Sequence, residues 1–131
     1  MSGFLALLCL AGQIVPVIPQ AVNARTTRSG IAAYYSPGVM ARVARNRGME
    51  LRDDVAGWAA VPNCSEVGKI VVASLNGSRP ERYQVLDCSH PRDKARHLRQ
   101  GIVIEVDYQS AVRHGFTRRG YTKAVVWSGM E

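Results

Sequence analysis

A chain of 131 residues has room for one compact domain and little more. With 47% hydrophobic and 21% charged residues and no internal repeat or low-complexity block, it is excluded from the disordered and fibrous classes. A net charge of +7 and an isoelectric point near 9.8 favour anionic partners, whether nucleic acid, anionic lipid or a bacterial cell wall.

Residues 1–24, MSGFLALLCLAGQIVPVIPQAVNA, contain no Lys, Arg, Asp or Glu, and the first charge is Arg25. Residues 4–11 form a short apolar core, Pro16 and Pro19 interrupt any continuing helix, and Val22 and Ala24 are the small residues that precede a cleavage point. This outline is that of a secretory signal peptide over residues 1–24, although no Lys or Arg precedes the apolar core. A secreted or cell-envelope location is therefore expected, with no membrane span after processing. A retained membrane anchor is the alternative, but a spanning helix needs roughly 20 apolar residues and would have to accommodate both prolines.

Removal of the leader takes Cys9 with it and leaves Cys64 and Cys88. Two cysteines in an oxidising compartment are expected to pair, which would stabilise a small domain by about 3 kcal/mol. A zinc site is the rival reading, and the chain lacks the CxxC or HxxxH partner it would need. No metal and no cofactor is expected.

Residues 25–29 read as a polar tether. GIAAYY (residues 30–35) is a first strand, stopped by Ser36-Pro37-Gly38. In VMARVARNRGM, Val39, Met40, Val43 and Ala44 recur at helical spacing, with Gly48 as terminator. GWAAVP (residues 57–62) is a second short strand. The run GKIVVASLNGSRPERYQVLD places two β-rich segments on either side of Asn76-Gly77, a hairpin whose connection Pro80 makes longer or irregular. RQGIVIEVD is a further strand. DYQSAVRHG follows as a short helix, with Asp107 as N-cap and Gly115 as its stop. YTKAVVW closes the domain. Short strands, two small helices and no βαβ rhythm give a mainly β chain, a small barrel of about six strands.

The order GIAAYYSPG, GKIVVASLNG, VLDC, GIVIEVDYQSAVRHGF and AVVW resembles the double-psi β-barrel of rare lipoprotein A and its expansin-like relatives. The resemblance runs from Gly30 to Trp127. It implies a six-stranded double-psi β-barrel with two short helices and one disulfide, occupying residues 30–131. Carried over residue by residue, Asp87 falls on the strand-end aspartate that acts on a glycosidic bond, and Glu105 on a second carboxylate near the same groove. Tyr34 and Tyr35 occupy the aromatic strand beside it. Alternation puts those two rings on opposite faces, so one of them is expected to line the groove. Val61 and Pro62 stand where such relatives carry a histidine; His90, three residues beyond Asp87, is the candidate for nearby space.

The resemblance leaves two functions open. One is peptidoglycan cleavage of the lytic-transglycosylase kind, with Asp87 as general acid/base and Glu105 supporting it. The other is an expansin- or barwin-like module that binds wall polysaccharide without cutting it. Trp58, Tyr108 and Trp127 are further stacking candidates, each equally suited to the core. Arg92, Lys94, Arg96 and Arg99 read as a basic loop able to hold an anionic glycan, while His97 and His114 read as solvated or helix-end residues. A basic nucleic-acid-binding barrel is the remote alternative; it lacks a concentrated aromatic-basic stripe, so no nucleic-acid partner is expected. The protein is expected to be a monomer.

Overall fold

The structure, a computed structural model, describes residues 6–10, 13–17 and 24–130. Strands β1 (Ala6–Leu10) and β2 (Gln13–Val17) pair antiparallel in a two-stranded sheet of their own. They fall within the stretch expected as a leader; apart from Ala24, the rest of that stretch lies outside the described residues.

The remaining elements are β3 (Thr26–Tyr34), α1 (Val39–Arg47), β4 (Gly57–Val61), a 3₁₀ turn (Cys64–Glu66), β5 (Ile70–Leu75), β6 (Glu81–Cys88), α2 (Pro91–Gln100), β7 (Ile102–Val106), α3 (Tyr108–Arg113) and β8 (Thr122–Ser128). The six strands from β3 onward close into a barrel in the order β3-β7-β4-β6-β5-β8. Pairs β3–β7 and β4–β6 are parallel and the other four antiparallel. This is the mainly β, six-stranded barrel that the strand pattern called for. Closure leaves the barrel no free edge, and β4, held between β6 and β7, is buried along its whole length.

Period-two alternation fills the interior: Ala59, Val61, Val71, Tyr83, Val85 and Ile104 all join one apolar cluster. A second cluster lies on the other face of β4, where Trp58 and Ala60 meet Met40 and Ala44 of α1. Asp107 performs its expected capping role and one more. Its Oδ1 accepts the Ser110 N–H at 2.7 Å, while its Oδ2 accepts the Trp58 N–H at 2.8 Å and ties α3 to β4. Gly57 permits this approach, since a Cβ there would collide with the Asp107 carboxylate.

Two expectations need correction. Thr26–Ser29, read as a tether, form the first half of β3 and pair with Val125–Ser128 of β8. The basic stretch after Asp87 is a helix, α2, so there are three α-helices where two were expected. Its signals are at its ends. His90 Nδ1 accepts the Arg92 N–H at 3.1 Å, Pro91 opens the helix, and Gly101 closes it in the left-handed region at φ 76°. Between those ends only Ala95 and Leu98 are apolar, which is too few to show a helical period.

The disulfide is formed. Cys64 and Cys88 are bonded with their Cα atoms 4.9 Å apart, joining the 3₁₀ turn to the end of β6.

Candidate functional site

The site begins with an irregularity in β6. Tyr83 and Val85 point into the barrel, so strict alternation would send Asp87 inward as well. A β-bulge prevents this. Val85 pairs with Ala59 but Asp87 pairs with Ala60, leaving Leu86 as the extra residue. Leu86 packs with Met40, Trp58 and Ala60 outside the barrel, and Asp87 comes onto that outer face too.

Glu105 arrives from the other side of β4. It is also the partner of Ala60, and its neighbours Ile104 and Val106 fill the barrel core, so its carboxylate points outward. The two acids open onto one cavity of about 620 Å³, lined also by Tyr35, Arg47, His90 and His97, with the disulfide at its edge.

Their environments differ sharply. Asp87 is surrounded by donors: Tyr35 Oη at 3.0 Å, Arg47 Nη2 at 3.1 Å and the Cys88 N–H at 2.9 Å. Arg47 is held in place by a further bond to the Leu86 carbonyl, 2.7 Å from its Nη1. The Glu105 side chain has no hydrogen-bond partner among the described residues. Burial pushes its pKa up; His97 opposes this, the nearby Asp87 charge adds to it, and Arg96 opposes it. The Tyr35 phenol is likewise pushed up by burial and by Asp87 and Glu105, so it remains a donor.

Tyr35, Asp87, His90 and Glu105 are therefore brought together. Tyr34 is not among them. Its ring packs edge-on against Tyr108 and Phe116, with centroids 5.9 and 5.8 Å away, and its hydroxyl donates to the Thr117 carbonyl at 2.7 Å. Trp58 is buried beneath α1. His114 sits elsewhere, its Nε2 2.6 Å from Glu81 Oε1.

Two groove residues escaped the sequence. His97 lines the groove with its Nδ1 2.9 Å from Ser89 Oγ. Once Pro91 and Gly101 are read as helix ends, Asp93 and His97 fall one turn apart on a shared face, and they are the only half-buried residues of α2. Arg47 lies 40 residues from Asp87, and nothing local announces the pair.

No helix among the described residues is long and apolar enough to cross a membrane. No group of three or more His, Cys, Asp or Glu among them is arranged to hold a metal ion. No protein-family model matches the chain, and no curated protein is significantly similar to it. Among solved structures, the apo expansin of Clavibacter michiganensis is similar, with a TM-score of 0.49 and 15% identity over 77% of this chain and 49% of that one. The chain thus spans about half the length of that structure.

Proposed function

We propose that this protein acts on cell-wall polysaccharide, cleaving peptidoglycan glycan strands in the manner of a lytic transglycosylase. The observation carrying this reading is the pair Asp87 and Glu105 in one groove, one ringed by donors and the other partly desolvated without a partner. Of two carboxyl groups in one groove, the one whose pKa burial raises is suited to be the acid, which leaves the other to act as base. The sequence resemblance makes Asp87 the general acid/base; the burial of Glu105 favours giving the acid step to Glu105.

In this mechanism Glu105 donates its proton to the glycosidic oxygen as the bond to the anomeric carbon breaks. The 6-hydroxyl of the same sugar closes onto that carbon, and Asp87 takes the hydroxyl proton. One C–O bond is exchanged for another and no water enters. Tyr35 and Arg47 hold Asp87 in position. The disulfide suits export to an oxidising compartment, where such a substrate is met. Residues 1–24 would serve as the signal peptide that delivers it there.

A second reading is a module that binds wall glycan without cutting it. It is favoured by one observation: the Asp87 acceptors are already occupied by Tyr35 and Arg47. Incubating the purified protein with peptidoglycan and analysing products by mass decides between them. Release of 1,6-anhydro-muropeptides is expected. Retention on the walls with no anhydro products and no new reducing ends would leave the binding module.

A further inference from the structure

Helix α2 borders a second cavity, of about 350 Å³, that shares no lining residue with the groove. Asp93 and His97 face the groove, whereas Lys94 and Leu98, each one position further along the helix, line the second cavity. Arg28 of β3 and Asn63 complete its polar part.

The polar groups offer donors. Arg28 is half-buried, and neither it nor Lys94 has an ion pair or side-chain hydrogen bond among the described residues. Asn63 Oδ1 already accepts the Ser65 N–H at 3.1 Å, which leaves its amide NH₂ to donate. No acidic side chain lines the space. Asp93, the acid on α2, is turned to the groove and paired with Arg96 at 3.4 Å. The rest of the lining is apolar: Pro62, Ile102, Val103 and Leu98. Leu98 is 54% exposed, which leaves its side chain open to an apolar ligand group.

We propose that this cavity is a binding site for a carboxylate carried on a short aliphatic body. Two unpaired cations and an amide donor supply charge-assisted hydrogen bonds to the carboxylate. The apolar wall covers the aliphatic part, and a bare inorganic anion has nothing to place against it. This site is independent of Asp87 and Glu105, and it stands or falls separately from the cleavage reaction.

The test is a titration of the ¹⁵N-labelled full chain with hexanoate, hexanol and inorganic phosphate at matched ionic strength. Hexanoate is expected to give saturable shifts confined to the amides around Arg28, Asn63, Lys94 and Leu98. Arg28→Gln and Lys94→Gln should each weaken that binding about tenfold, the loss of one charge-assisted contact. Asp87→Asn should bind hexanoate like the wild type. Equal responses to hexanoate and hexanol would reduce the site to an apolar cleft, and equal responses to hexanoate and phosphate would reduce it to a basic surface. Either result, or no localised shift in the wild type, overturns the proposal.

Discussion

Asp87 and Glu105 lie opposite the same residue: each is the register partner of Ala60, one from β6 and the other from β7. Their Cα atoms are therefore two strand spacings apart, about 10 Å. Ala60 has only a methyl group, and it is buried against α1, so nothing bulky rises from β4 between the two acids. A ligand in the groove that both acids line can meet both of them.

Glu105→Gln and Asp87→Asn should each lower glycan release from walls by about 10²-fold or more while leaving retention on the walls intact. An activated aryl glycoside separates the roles, because its leaving group departs without a proton. On that substrate Glu105→Gln should recover most of its rate and Asp87→Asn should not. Recovery by Asp87→Asn instead would return the acid role to Asp87.

Burial raises the Glu105 pKa above the ordinary value of 4.5, which makes its contribution to stability depend on pH in a defined direction. Between 4.5 and the raised value, the native protein keeps a proton that the unfolded chain releases. Stability thus falls as pH rises through that window, and the loss is complete above the raised pKa. Glu105→Gln removes this dependence. Denaturant unfolding from pH 4 to 8 should show the wild type losing stability relative to Glu105→Gln as pH rises, and then levelling. A difference constant across that range would contradict the partly desolvated carboxyl.

The adjacent tyrosines should separate stability from function. Tyr34→Phe leaves the Thr117 carbonyl without its 2.7 Å donor and should cost about 1 kcal/mol in urea unfolding, with glycan release unchanged. Tyr35→Phe removes the 3.0 Å donor to Asp87 and should impair glycan release more than stability. Equal effects of the two variants on turnover would argue against the groove.

Replacing Cys64 and Cys88 by alanine should lower stability by about 3 kcal/mol, because the bond closes a segment with a sequence separation of 24. Urea midpoints of the double variant and the oxidised wild type measure this. The bond also fixes the end of β6 beside Asp87, so wall glycan release should fall in the double variant under conditions where it remains folded.

The amino-acid sequence determined the strands and the barrel they build. Short, mostly apolar runs at residues 57–61, 70–75 and 102–106 mark buried strands, Asn76-Gly77 marks the hairpin, and Asp107 marks a helix start. These are local signals, carried by neighbours in the chain. Tertiary structure decided which way the acids face and what surrounds them. Counted along YQVLD, Asp87 belongs inside with Tyr83 and Val85; only pairing with β4 inserts Leu86 as a bulge and turns it out. Arg47 and His97 reach the groove on helices from either side of it in sequence, and the charge environment that separates Asp87 from Glu105 exists only once those helices have packed. Face and charge at this site come from contacts between distant segments, which no spacing along the chain records.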